Sequence, residues 1–149
     1  MVFLSACRDT CSDNKNALPR AGFYIHDSEG AVSKVSVDSL EVIGVGMPPD
    51  SVLSEASVSK NELYLPFRID SDRTQYVFIN RRRGADIRDT VTFDYTRVAR
   101  FVNVECGVSY VFHIHDITSE GTLIDSVVCP NGFIDNANIE NLRIYFATE

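Results

Sequence analysis

Several residue types and motifs are scarce in this chain. Among 149 residues there is no tryptophan, and there are only five prolines, eight glycines and three histidines. No Cys-x-x-Cys spacing, Gly-x-Ser-x-Gly nucleophile elbow or glycine-rich phosphate loop occurs. The sequence therefore gives no support to a zinc ribbon, a thioredoxin-like oxidoreductase, an α/β-hydrolase or a P-loop nucleotide site, and no cofactor is expected.

Basic charge and long apolar runs are also scarce. Fourteen lysines and arginines face 21 acidic residues, which gives a net charge of −7. Nucleic acid binding needs a basic face to neutralise phosphates, so nucleic acid is not an expected partner. No stretch approaches the roughly 20 apolar residues of a membrane helix. The hydrophobic content of 44% and the length predict one folded domain with a single core.

The N-terminus carries the clearest motif. Leu4-Ser5-Ala6-Cys7 has the form of a bacterial lipobox, in which small residues precede a cysteine that becomes lipidated. Only six residues precede Cys7, fewer than a secretory signal needs, so residues 1–6 are interpreted as a signal peptide remnant. We then expect a lipidated Cys7 and a polar tether over residues 7–19, followed by one domain over residues 20–149. The alternative is a frayed N-terminus with a chance cysteine.

Cysteine usage fits an exported protein. The chain has four cysteines, Cys7, Cys11, Cys106 and Cys129, and lipidation of Cys7 would leave three. Exported proteins can hold disulfides, and a bond between Cys11 and Cys106 would attach the tether to the domain. Cys106 with Cys129 is the alternative pair. Cys129 ends an apolar run, where a free thiol packs as a small hydrophobic residue, so the first pairing is favoured.

From Arg20 onward the apolar residues alternate with polar ones, which is typical of strands. Such alternation marks roughly eight segments, among them 22–26, 39–45, 63–67, 76–79, 90–96, 108–114, 123–128 and 142–146. We predict an all-β fold, an antiparallel immunoglobulin-like β-sandwich, with a closed β-barrel as the alternative. Cys106-Gly107 is interpreted as a bulge in one long strand, and residues 135–141 as at most one helical turn.

Several segments together resemble a known family. They are the lipobox, VDSLEVIGVG (37–46), LYLPF (63–67), DTVTFDYTR (89–97), FVNVECGVSYVF (101–112) and the C-terminal NLRIYF. This set is similar to an uncharacterised family of Bacteroidales lipoproteins, defined by a domain of unknown function. The resemblance implies lipid anchoring in a Gram-negative envelope, and it brings no catalytic residue.

Two clusters are candidate sites. His113 and His115 would share one side of a strand, and with Asp116 they form a candidate metal site. The plain alternative is a solvated sheet face that tolerates histidine. Arg81, Arg82 and Arg83 are the one basic run, suited to binding a carboxylate, phosphate or anionic glycan. The alternative for this run is a solvated hairpin tip whose charge discourages strand pairing.

The function predicted from these features is a non-catalytic binding or assembly module, anchored by lipid to the outer membrane on its periplasmic or surface face. Its expected partner is an envelope protein or a glycan. Four tyrosines, Tyr24, Tyr64, Tyr76 and Tyr145, are candidates for stacking on sugar or peptide, although core packing is the commoner role. The alternatives are a lipid-anchored hydrolase acting on glycan or peptide and a metal-dependent adhesion module.

Overall fold

The computed structural model describes residues 16–46, 52–54, 59–81 and 84–148. Within these ranges the chain forms eleven strands and no helix. The strands are β1 (Arg20–His26), β2 (Val32–Lys34), β3 (Leu40–Gly44), β4 (Val52–Ser54), β5 (Glu62–Tyr64), β6 (Arg73–Arg81), β7 (Asp86–Asn103), β8 (Gly107–Glu120), β9 (Ile124–Val128), β10 (Phe133–Ile134) and β11 (Leu142–Phe146). No helix in the part that is described has the length and apolar character to span a membrane.

The described strands form two sheets. The small sheet has the order β2-β1-β11-β9, with β5 also paired to β1. The large sheet has the order β10-β8-β7-β6-β3-β4. All pairings are antiparallel except that of β1 with β11, which run parallel over five residue pairs. This parallel pair places the first and last described strands side by side.

One hydrophobic core lies between the sheets. On β7, Val91, Phe93 and Tyr95 are buried while the residues between them are not, as the alternation predicted. The small sheet contributes Phe23 and Ile144 to the same core. The predicted β-sandwich is thus confirmed. The sheets do not close into a barrel over the described strands, so the barrel alternative is wrong.

Three local predictions differ from the structure. The strand count is higher because β2, β4 and β10 have only two or three residues, too few to show alternation. Cys106-Gly107 is not a bulge: residues 104–106 form the turn that joins β7 to β8, and Gly107 has a left-handed φ of 72°. Residues 135–141 form no helical turn.

A buried carboxylate fixes the crossing from the large sheet to the small one. Asp89 on β7 is fully buried and accepts backbone N–H hydrogen bonds from Thr122, Leu123 and Ile124 at 2.8–3.0 Å. Gly121 begins this crossing with φ 131°, and a methyl group there would lie 2.0 Å from Asp89 Oδ1. Asp89 therefore sets where the chain leaves β8 and enters β9.

Candidate functional site

The outer side of the small sheet carries a row of aromatic rings. On β1, Phe23 points into the core, so the flanking Tyr24 and His26 point outward. The parallel pairing sets Tyr24 directly beside Tyr145 of β11. His26 stacks on Tyr145 with centroids 4.7 Å apart and planes 16° apart, and Tyr24 lies 5.8 Å from Tyr145. The three rings are half-buried and form one continuous apolar row.

Charged side chains border the row. The Tyr24 hydroxyl lies 2.7 and 2.8 Å from the two oxygens of Glu140. The guanidinium of Arg143 lies over the Tyr24 ring, 5.4 Å from its centroid, and 3.8 Å from Glu140. We call these five residues, Tyr24, His26, Glu140, Arg143 and Tyr145, the aromatic face.

Burial and the neighbouring carboxylate both act on the Tyr24 hydroxyl. Desolvation raises the pKa of Tyr24, and the hydrogen bond to Glu140 raises that pKa further because a tyrosinate cannot donate it. Tyr24 therefore stays a neutral donor at physiological pH. The aromatic face presents a hydroxyl donor, a carboxylate and a guanidinium in fixed relation to the rings.

A glycine makes room for the carboxylate. Gly22 is buried on the outward side of β1, and a methyl group there would lie 1.5 Å from Glu140 Oε1. Glu140 thus folds back over the Gly22 backbone to reach Tyr24. No local sequence signal identifies this arrangement, because Glu140 lies 116 positions from Tyr24 and β1 meets β11 only in the folded sheet.

A cleft of about 500 Å³ opens at the end of the sandwich where β1 and β6 finish. Its wall includes Ile25, Asp38, Ser39, Arg81 and Phe146. Ser39 has a left-handed φ of 58°, uncommon for a residue other than glycine, and its carbonyl accepts the Arg81 N–H at 2.8 Å. The cleft is mixed in polarity, and it borders the end of β1 that carries His26.

The predicted basic run does not present a free cation at Arg81. The Arg81 guanidinium pairs with Asp86 at 2.5 Å and with Glu41 at 3.2 Å. These hydrogen bonds, that of Asp86 first, raise the pKa of Arg81. Two carboxylates already occupy this side chain, which weakens its attraction for an external anion. Arg82 and Arg83 lie outside the described residues.

The three predicted metal ligands, His113, His115 and Asp116, all lie on β8. His113 packs on Phe133 with centroids 4.6 Å apart, and His115 hydrogen-bonds to the hydroxyl of Thr96, the register partner of His113. Asp116 pairs in register with Asp94, and His26 lies on the other sheet. Across the described ranges, no group of three His, Cys, Asp or Glu side chains is placed to hold a metal ion.

Of the two described cysteines, one is disulfide-bonded and the other is a free thiol. Cys106 is disulfide-bonded, whereas Cys129 is free and packs against the core. Burial raises the pKa of the Cys129 thiol. The partner of Cys106 lies outside the described residues, as do Cys7 and Cys11, so the Cys11–Cys106 pairing and the lipidation of Cys7 stay predictions.

Fold and site together define a small two-sheet β-sandwich that displays an aromatic face on its outer surface. The chain belongs to a family of unknown function, DUF6452, whose model matches residues 39–146. The match runs from the start of β3 to the end of β11 and omits β1, the strand that carries Tyr24 and His26. Searches of curated proteins and of solved structures gave no significant match.

Proposed function

We propose that this protein is a non-catalytic binding module, held at the outer membrane by lipid on Cys7, whose aromatic face binds an envelope protein. The observation that carries the binding role is the stack of His26, Tyr145 and Tyr24. Core packing does not require these rings, because Phe23, Ile144 and Phe146 fill the inner side of the same strands.

The composition of the face favours a protein partner. Tyrosine and arginine are enriched at the centres of protein interfaces. Tyrosine gives a large contact area with few rotatable bonds, and arginine presents a rigid fork of N–H donors. Tyr24 is fixed by Glu140, and Arg143 is fixed beside both. A preorganised face loses little side-chain freedom when a partner docks.

The lipid anchor is supported by sequence alone. Leu4-Ser5-Ala6-Cys7 has the lipobox pattern, and residues 8–16 are polar, as expected of a tether. Several acyl chains on one cysteine would anchor stably, because each buried CH₂ contributes about 0.8 kcal/mol.

Photo-crosslinking in living cells tests the binding role. A photoreactive phenylalanine analogue replaces Tyr145 in one variant, and in a matched control it replaces the exposed Arg88 on the large sheet. We expect a defined protein adduct from position 145 and none from position 88. Adducts of equal yield at both positions, or at neither, would refute a protein partner on this face.

The same face predicts the effect of removing a ring. For the partner identified by crosslinking, Tyr145→Ala should weaken affinity roughly 30-fold, the equivalent of about 2 kcal/mol at an interface hot spot. Arg88→Ala should leave affinity unchanged. If no protein adduct forms and Tyr145→Ala instead abolishes binding to envelope glycan, the partner is a glycan.

A further inference from the structure

The end of the β7–β8 hairpin carries exposed apolar side chains, contrary to the polar composition usual there. Phe101 has 71% of its surface exposed, Val104 93% and Val108 48%. Phe101 and Val108 are register partners, so their side chains lie next to each other across the two strands. We call Phe101, Val104 and Val108 the apolar tip.

The tip is structured locally. The Cys106 N–H donates to Asn103 Oδ1 at 2.7 Å, which closes the turn. Glu105 is the one charged residue between positions 101 and 108. Contiguous exposed apolar side chains of this kind mark a contact with a protein or a membrane.

Two observations place the tip close to the N-terminal tether. The described chain begins beside β8, where the Ala17 N–H donates to the Tyr110 carbonyl at 2.8 Å and Asn16 Oδ1 accepts the Tyr110 N–H at 2.9 Å. Cys106, in the turn itself, is disulfide-bonded, and Cys129 is free. Among four cysteines, only Cys7 and Cys11 remain as its partner.

We propose that the apolar tip inserts shallowly into the bilayer that holds the lipidated Cys7, as a second membrane contact. This inference rests on the proposed lipid anchor, which reserves Cys7 for acyl chains and so leaves Cys11 to bond Cys106. Cys11 lies four positions after Cys7, a span of at most about 14 Å of extended chain. Adding about 6 Å across a disulfide keeps the turn within about 20 Å of the acylated residue.

This short distance favours the membrane, and not a protein, as the surface that the apolar tip contacts. Because the disulfide joins the β7–β8 turn to a residue only four positions from the lipidated Cys7, the turn cannot move far from the lipid surface. The chain is acidic overall, so the attraction is apolar rather than electrostatic. Glu105 stays at headgroup depth, which limits how deeply the tip inserts.

The lack of native tryptophan permits a direct test. Lipidated Val104→Trp protein is reconstituted into phosphatidylethanolamine and phosphatidylglycerol vesicles, and acrylamide quenching is compared with that of the same protein lacking lipid, made by Cys7→Ser. The matched control is Val32→Trp: Val32 is 47% exposed and pairs with His26, at the end of β1 away from Ala17. Mass spectrometry first establishes whether Cys7 carries acyl chains.

We expect vesicles to remove most of the quenching and to blue-shift the emission at position 104, with neither change at position 32. Adding Cys11→Ser should restore quenching at position 104, because the tip is then released from the anchor. If both variants are acylated and the tryptophans at positions 104 and 32 are quenched to the same extent, the tip does not contact the membrane, although the lipid anchor is retained. Absence of acyl chains from native Cys7 would overturn both.

Discussion

At the scale of single residues, Asp89 shows how one side chain directs the course of the chain. Its carboxylate lies in the core region yet accepts three backbone N–H groups from the segment that crosses between the sheets. Buried carboxylates are tolerated only when such bonds replace the lost water. Sequence reasoning did not identify Asp89, because it lies one position before the predicted strand 90–96, although it shares the core side of β7 with Val91.

Replacing Asp89 should therefore destabilise the protein strongly. Asp89→Ala leaves three backbone N–H groups without an acceptor, two of them buried, and we expect it to lower the free energy of unfolding by about 3 kcal/mol. The exposed Asp125 is the control, and Asp125→Ala should change that free energy by less than about 0.5 kcal/mol. Urea unfolding measures both, and equal effects would refute the role assigned to Asp89.

Buried tyrosines predict a loss of stability in alkali. Burial raises the pKa of Tyr76 and of Tyr95 above that of an unfolded tyrosine. The contribution of these raised pKa values to the free energy of unfolding is fully present below pH about 10. It is lost as the pH rises further, because the unfolded chain releases the tyrosine protons first. The free energy of unfolding should fall steeply over this range.

Tyr76→Phe isolates one contribution to that fall. We expect this variant to lose less stability between about pH 8 and about pH 11 than the parent, although it starts lower by about 1 kcal/mol for the lost hydrogen bond to the Pro66 carbonyl. Both proteins carry Cys129→Ala, so that no free thiolate attacks the disulfide. If the free energy of unfolding falls by the same amount in both proteins over this pH range, this account is contradicted.

At the scale of elements, alternation in the sequence predicted the long strands but missed the turn between β7 and β8. Val91, Phe93 and Tyr95 alternate with polar residues, so the core side of β7 could be read directly. The β7–β8 turn was missed because the apolar residues in and around it, Phe101, Val104 and Val108, look like a continuing strand. The parallel partner of β1 was missed as well, because pairing between distant segments has no local signature.

The disulfide at the β7–β8 turn predicts a large element-scale effect. If Cys11 bonds Cys106, the bond closes 106 − 11 = 95 residues. Cys11→Ser should then lower the free energy of unfolding by about 4–5 kcal/mol in the chain-entropy treatment. Cys129→Ala, which removes a free thiol, is the control and should cost far less. Non-reducing peptide mapping that links Cys106 to Cys7 instead would refute both this pairing and the lipid anchor.

At the scale of the whole molecule, the two exposed features lie on different parts of the sandwich. The aromatic face occupies the outside of the small sheet, and the apolar tip ends the longest hairpin of the described part of the large sheet. A molecule held at the membrane by its tip would leave the aromatic face open to a partner. The metal site predicted from His113 and His115 belongs to neither of these features. The described contacts of the two histidines are with Phe133 and Thr96.

Mass spectrometry of the N-terminal peptide, from protein purified out of native membranes, tests the central claim most directly. The account predicts that this peptide begins at Cys7 and carries the added mass of acyl chains on its sulfur and amine. A peptide that retains Met1 and has an unmodified Cys7, recovered from the soluble fraction, would contradict it.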